Sequence, residues 1–186
     1  MIYQKGSIFH IYNRGCNKNN IFYNIDNYDY LIKKIIRSYK KFNVSIIAFC
    51  LMPNHYHFLL RQDSEIPISQ WLRSLFIGYT LAINKQQNRA GTLFSGRSKA
   101  RLINDEKYFQ HLIFYIHHNP VKTGFVTKME DWEYSNYHEC IGIRNKYPYN
   151  KSIIEDSFGS QIGYMDFSQT YLDEPIIDGL EKYLFD

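Results

Sequence analysis

The stretch LMPNHYHFLL, residues 51–60, decides the fold and carries two histidines in a pattern typical of a β-strand. Successive side chains of a strand point to opposite faces, so His55 and His57 share one face and the apolar residues that alternate with them share the other. Pro53 and the asparagine after it predict a turn immediately before this strand. The two imidazoles can be two ligands of a metal ion, or they can line a solvent-exposed face, because two ligands do not complete a site.

The segments on either side predict an alternation of strands and helices. Apolar patterns predict strands over residues 7–14 and 44–51, and an alternation of basic with smaller residues predicts another over residues 97–103. The strand 44–51 should be central, buried on both faces and paired with the histidine strand. Helical spacing predicts helices from a cap at Asp26, over residues 68–88, and from a cap at Asn104 to Asn119, where Pro120 should end the helix. This order predicts an α+β fold, a ferredoxin-like or RRM-like split βαβ antiparallel sheet with helices on one face.

The composition indicates a folded protein of a reducing compartment. Of the 186 residues, 45% are hydrophobic and 17% aromatic, enough for a real core, which excludes a chain disordered throughout. Cys16, Cys50 and Cys140 are widely spaced and form no CxxC pair, which argues against a disulfide framework or a zinc knuckle. No apolar run is long enough to span a membrane. We therefore expect a cytoplasmic protein without a membrane partner.

Charge divides the chain into two parts. Residues 1–149 contain 20 lysines and arginines against 10 aspartates and glutamates, a net charge of +10, whereas residues 150–186 contain 2 against 8, a net charge of −6. We expect a main domain over residues 1–146 and an acidic, partly helical appendage over residues 147–186, with helical patterns near 153–158 and 176–184. A basic body rich in aromatic residues suits nucleic-acid binding, although a high pI alone is also common in proteins that bind none.

Two side-chain rows near the end of this body carry possible chemistry. In the predicted strand 97–103, Arg97, Lys99 and Arg101 share a face and can contact phosphates, or can keep a solvated edge strand from aggregating. In the helix that follows, polar groups recur at intervals of three and four on an edge beside the apolar stripe: Tyr108, His111, Tyr115 and His118 or Asn119. Taken alone, Tyr115 is better explained as a half-buried aromatic residue with its hydroxyl in water, because the chain contains 17 tyrosines.

Several segments, taken in order, resemble the single-tyrosine HUH transposases, and within this IS200-like superfamily the REP-associated tyrosine transposases. They are FHIYNRGCNKNNIF (9–22), AFCLMPNHYHFLL (48–60), GTLFSGRSKA (91–100), YIHHNPVKTGFV (115–126) and DWEYSNY (131–137). The resemblance implies that His55 and His57 bind a divalent metal, Mg²⁺ or Mn²⁺, and that Tyr115 is the nucleophile. It implies Asn119 as the third ligand, with His118 as a rival because an apolar residue is usual at that position.

The same resemblance implies a metal-dependent transposase or endonuclease that cleaves and rejoins single-stranded DNA through a 5′-phosphotyrosine intermediate. Its substrate would carry a hairpin, as REP sequences do, and the protein would act as a monomer or a homodimer. The basic residues expected to contact the DNA backbone are Arg14, Lys18, Arg97, Lys99, Arg101 and Lys122. The sequence is also compatible with two alternatives: a catalytically silent nucleic-acid-binding domain, and a metal-dependent nuclease that activates water.

Overall fold

The computed structural model describes residues 4–171, which build a four-stranded antiparallel sheet flanked by helices. The strands are β1 (Ile8–Arg14), β2 (Val44–Met52), β3 (His55–Gln62) and β4 (Lys99–Ile103). They lie in the order β2-β3-β1-β4, and every neighbouring pair is antiparallel. This is the arrangement of a split βαβ sheet, so the predicted α+β fold class is confirmed.

Helices connect the strands and cover the sheet. They are α1 (Ile25–Ser38), α2 (Ile68–Gln86), α3 (Glu106–Lys122), α4 (Tyr137–Cys140), α5 (Lys151–Phe158) and α6 (Gln161–Thr170). Short 3₁₀ helices lie at Cys16–Lys18 and Met129–Asp131. Within residues 4–171, no helix has the length and apolar character needed to cross a membrane.

Helices cover both faces of the sheet, not one face as predicted. α1 and α2 pack against one face, where Phe9, Phe49 and Phe58 form part of the core. α3 and the later helices pack against the other, on residues that include Ile47 and Leu59. The continuous apolar sequence of β2 explains the arrangement, because side chains on both of its faces need cover from water.

β2 lies at an edge of the sheet, whereas its apolar sequence predicted a central strand. Its free edge is covered by a later segment of the chain: the Leu51 amide donates to the Tyr134 carbonyl at 2.9 Å, and the Asn136 amide donates to the Phe49 carbonyl at 3.3 Å. The DWEYSNY segment therefore packs onto the body by satisfying this edge. An apolar strand sequence reports burial of the two faces and does not report whether both edges are paired.

Helix ends also differ from the prediction. Asn24, not Asp26, caps α1 by accepting from the Asn27 amide, and Asp105, not Asn104, caps α3. α3 also continues through Pro120 to Lys122. Proline removes one backbone donor but has a helical φ, and the Thr123 amide restores the pattern by donating to the Asn119 carbonyl at 3.0 Å. Asn119 consequently stays inside the helix, one turn after Tyr115.

The first part of the C-terminal region packs on the body. α5 matches the helical pattern predicted near residues 153–158, and α6 was not predicted. Ile153, Ile154 and Tyr164 are buried in the same core cluster as the apolar side of α3. The helical pattern near residues 176–184 lies outside the described residues. The division into a domain of residues 1–146 and an appendage stays a prediction.

Candidate active site

The two histidines lie where β3 begins, directly after the predicted turn, on the face of the sheet that α3 covers. Their rings are nearly perpendicular, at 87°, and their centroids are 5.2 Å apart. His57 is fully buried, and His55 is partly exposed at the rim. The strand alternation predicted from the sequence therefore brings both imidazoles to one place.

Asn54 fixes the orientation of the His55 ring. The Asn54 amide nitrogen donates to the Lys18 carbonyl at 3.3 Å, which leaves its oxygen facing His55 Nδ1 at 2.7 Å. Because an amide oxygen only accepts, Nδ1 of His55 carries the proton and donates it. Nε2 of His55 therefore has the lone pair, and this is the atom that faces α3.

Asn119 joins the histidine strand to the tyrosine helix. Its side-chain oxygen lies 3.0 Å from Nε2 of His55, and its side-chain nitrogen donates to the Tyr115 hydroxyl at 3.1 Å. The Tyr115 ring also meets His57 edge-on, with ring centroids 5.7 Å apart. Residues of β3 and α3 that are far apart in sequence thus converge within a single chain.

Burial sets the protonation states of these groups. Burial lowers the pKa of His55 to about 4, and the Asn119 oxygen beside Nε2 acts in the opposite direction because it would accept from a protonated ring. Burial, together with the neighbouring His10 and His55, holds the pKa of His57 well below 6.5. Both imidazoles are therefore neutral near pH 7, which is the form that binds metals.

Burial shifts the pKa of Tyr115 in the opposite direction and raises the pKa of its hydroxyl above 10. The hydrogen bond from Asn119 acts in the other direction and favours the phenolate. The Lys122 ammonium, 5.5 Å from the centre of the Tyr115 ring, adds a positive charge beside it. The phenol is thus buried, with a hydrogen-bond donor at its oxygen and a cation over its ring.

The residues present fit a divalent cation. His55 Nε2 and the Asn119 oxygen are both acceptors, and their 3.0 Å separation is close to the spacing of about 3 Å between adjacent ligands of an octahedral ion with bonds of about 2.1 Å. Residues 4–171 contain no cluster of three or more His, Cys, Asp or Glu side chains able to hold a metal. Within the described residues, the Asn119 amide offers an oxygen directly beside His55, and a mixed imidazole and oxygen set suits Mn²⁺ or Mg²⁺.

His118, the rival third ligand, lies elsewhere on the helix. Its ring stacks on Phe114 with centroids 5.0 Å apart. Burial and the charge of Lys122 lower its pKa. The structure brings Asn119, and not His118, against His55, because α3 stays helical through Pro120 and keeps Asn119 on the same face as Tyr115.

Several of the basic residues predicted to bind DNA surround this site. Lys99 lies over the ring of Tyr12 at 5.8 Å, and Arg101 lies over the ring of Tyr108 at 4.9 Å. Arg14 is the cross-strand neighbour of His55, and Lys18 contacts Asn54 through its carbonyl. Arg97 is exposed but precedes β4, so it does not continue the strand row as predicted.

Sequence reasoning missed two residues that contact the histidines. Asn54 was assigned only to the turn, and His10 was assigned only to the first strand. His10 is fully buried, and its Nε2 lies 2.9 Å from Nδ1 of His57. The alternation of β1 places His10 and Tyr12 on one face, but only the pairing register shows that this face continues into His57.

Comparison with known proteins identifies the family. The model of the family described as "Transposase IS200 like" matches residues 4–119. The chain belongs to the IS200-like transposase family. A Haemophilus influenzae protein with the provisional name of REP-associated tyrosine transposase is 30% identical over 105 residues, 51% of this chain and 60% of that protein. The REP-associated tyrosine transposase of Escherichia coli K12 is 28% identical over 123 residues, 65% of this chain and 70% of that protein.

A solved structure supports the fold independently. The REP-associated tyrosine transposase bound to a REP hairpin superposes with a TM-score of 0.64 at 21% sequence identity, covering 81% of this chain and 94% of that chain. The match to the Haemophilus relative, by contrast, spans less than two thirds of that protein's length. The fold and the family are therefore established.

Proposed function

We propose that this protein cleaves and rejoins single-stranded DNA by transesterification, with Tyr115 as the nucleophile and a divalent metal held by His55, His57 and Asn119. The observation that carries the proposal is the continuous contact from His55 through the Asn119 side chain to the Tyr115 hydroxyl, over 3.0 and 3.1 Å. One amide group thereby connects the predicted ligand set to the predicted nucleophile.

The proposed reaction exchanges one phosphodiester for another. The Tyr115 oxygen loses its proton and bonds to phosphorus, the bond from phosphorus to the 3′ oxygen breaks, and that oxygen leaves with the electron pair and takes up a proton. The products are a 5′-phosphotyrosine and a free 3′-OH. A 3′-OH can later reverse the exchange without ATP, because the tyrosine ester retains the phosphodiester bond.

The chain's own groups contribute position and charge. Asn119 holds the Tyr115 hydroxyl in place and stabilises its anion by donating a hydrogen bond, and Lys122 adds a positive charge near the ring. When bound, a divalent cation would neutralise charge on the phosphate oxygens. The neutral state of both imidazoles keeps their lone pairs available for such an ion.

The proposed substrate is single-stranded DNA that carries a hairpin, of the REP type bound by the structural relative. Support in this chain comes from the cations beside the site, Lys99, Arg101 and Lys122, which are placed to contact phosphates. Because the contacts among His55, Asn119 and Tyr115 lie in one chain, we propose that a monomer is sufficient for cleavage. A DNA substrate also fits the expected cytoplasmic location.

Incubation with a 3′-labelled oligonucleotide, followed by a denaturing protein gel, tests the proposal, because the 3′ fragment is the one that a 5′-phosphotyrosine would hold. We expect a protein-DNA adduct with Mn²⁺, none with a chelator, and none with Tyr115→Phe although that variant still binds DNA. A nuclease that activates water would instead yield a free 5′-phosphate and no adduct. A silent binding domain would shift the oligonucleotide on a native gel and cleave it under neither condition.

A further inference from the structure

His10 is a polar neighbour of His57 that lies outside the proposed ligand set. It lies on β1, its side chain is fully buried, and its Nε2 is 2.9 Å from Nδ1 of His57. The two rings are stacked at 16°, with centroids 5.2 Å apart. No part of the proposed reaction uses this imidazole, yet a buried histidine paired with another histidine is an uncommon way to fill a core.

The contact constrains which nitrogen of His57 is protonated. A neutral imidazole has one N–H donor and one lone pair, so a hydrogen bond between two such rings needs a proton on one of the two facing nitrogens. If His10 donates, His57 carries its own proton on Nε2 and cannot coordinate through that atom. If His57 donates from Nδ1, its Nε2 lone pair is available for a cation.

His55 provides a direct parallel in the same site. The Asn54 oxygen accepts from Nδ1 of His55 at 2.7 Å and leaves Nε2 to face Asn119. Each of the two neighbouring imidazoles therefore has a hydrogen-bond partner on Nδ1, one an amide oxygen and the other an imidazole nitrogen. Metal-bound histidines are generally oriented by such a partner on the second ring nitrogen.

We propose that His10 is a positioning residue that accepts the Nδ1 proton of His57 and so presents Nε2 of His57 to the metal. This inference rests on the metal-binding role proposed above for His57. Unlike an amide oxygen, His10 can also donate, so the pair has two proton arrangements, and the one in which His57 donates is the one that would leave its Nε2 lone pair for a cation. His10 itself touches neither metal nor DNA.

The variants His10→Gln and His10→Leu separate hydrogen bonding from packing. The glutamine of the first variant offers an oxygen acceptor near the position of Nε2, whereas leucine fills the space without an acceptor. We expect His10→Leu to weaken Mn²⁺ binding about 10- to 100-fold, the usual effect of losing such a partner, and His10→Gln to bind within a few-fold of the original chain. Titration of the free Mn²⁺ signal by electron paramagnetic resonance measures both affinities without DNA.

Long-range ¹H–¹⁵N correlation spectra of the histidine rings provide the second measurement, with diamagnetic Mg²⁺ in place of Mn²⁺. We expect His57 to be protonated on Nδ1 in the Mg²⁺-bound original chain and in His10→Gln. The buried His138 on α4 supplies a control, since His138→Leu removes an imidazole from another part of the core and should leave both readouts unchanged.

The outcomes separate this inference from the proposed function. If the original chain binds neither cation, both fail. If it binds Mn²⁺ and forms the Tyr115 adduct, but the glutamine and leucine variants lose equal affinity or none, the proposed function stands and His10 only packs. Should the leucine variant not fold, the spectrum of the Mg²⁺-bound original chain decides, because a proton on Nε2 of His57 would overturn the inference.

Discussion

The side-chain amide of Asn119 donates to the hydroxyl of Tyr115 one helical turn earlier, at 3.1 Å, while its oxygen lies 3.0 Å from Nε2 of His55. One side chain thus contacts both functional halves of the site with different atoms. The oxygen is suited to binding a cation, and the nitrogen is suited to stabilising a phenolate. Substitutions of Asn119 should therefore separate metal binding from stabilisation of the phenolate.

Replacing Asn119 should affect metal binding and chemistry differently according to the side chain. Asn119→Asp retains oxygen ligands but loses the donor and places a negative charge beside the phenol, so we expect Mn²⁺ affinity to stay within about 10-fold while single-turnover adduct formation falls about 100-fold. We expect Asn119→Leu to lose both Mn²⁺ affinity and adduct formation. His118→Ala is the matched control and should keep metal affinity. Unchanged Mn²⁺ binding by Asn119→Leu would contradict the ligand assignment.

Acid should destabilise the fold through its buried histidines. His117 is fully buried, with Nδ1 2.6 Å from the Tyr164 hydroxyl and Nε2 2.9 Å from the Asn136 oxygen, and burial lowers its pKa to about 4. The unfolded chain therefore binds more protons than the native one between about pH 6.5 and 4, and the free energy of unfolding falls as pH drops through that range and is unaffected by this group at higher pH.

His117→Gln tests the size of this effect because glutamine does not titrate. Between about pH 7 and 4.5, His117 alone should cost the original chain roughly 2 to 3 kcal/mol of unfolding free energy. We expect the variant to be less stable at neutral pH but to lose correspondingly less on acidification, as measured by urea denaturation at both pH values. Equal losses in the two proteins would show that His117 is not the source.

Binding of DNA should depend on salt through the cations beside the site. Each phosphate contact on single-stranded DNA contributes about 0.7 to the slope of log affinity against log salt. Lys99→Ala and Lys122→Ala should each reduce the slope by about this amount and weaken binding at low salt. Lys33→Ala and Arg37→Ala remove equal charge from exposed positions of α1, on the other side of the sheet, and serve as controls. Equal slope changes in both sets would indicate a diffuse charge effect.

Local patterns in the sequence were sufficient to predict most of the strands and helices and part of the site. Alternation placed His55 and His57 on one face, because side-chain direction in a strand follows directly from position. Helical spacing likewise placed Tyr115 and Asn119 one turn apart on α3. These relationships involve residues within one element, where backbone geometry fixes the answer without reference to the remainder of the chain.

The sequence predicted the pairing of β2 with β3 across the turn at Pro53, but other relationships between elements were not available from it. The contact of His10 with His57 depends on the register of β1 against β3, and the covering of β2 depends on a segment much later in the chain. Which of His118 and Asn119 lies against His55 depended on whether α3 continues past Pro120. If the helix had ended before the proline, the backbone could have directed either side chain toward the site. Tertiary packing decides each of these points, and local sequence propensity carries no information about that packing.

The central claim is that the Tyr115 oxygen becomes covalently attached to DNA. The most direct test is to digest the adduct formed with Mn²⁺ and a single-stranded hairpin oligonucleotide with trypsin and nuclease, and to locate the nucleotide by fragment mass spectrometry. The expected peptide spans residues 108–122, between cleavage after Lys107 and after Lys122, and contains two tyrosines, Tyr108 and Tyr115. We predict the modification on Tyr115; attachment at Tyr108 or any other residue, or a free 5′-phosphate with unmodified protein, would contradict the account.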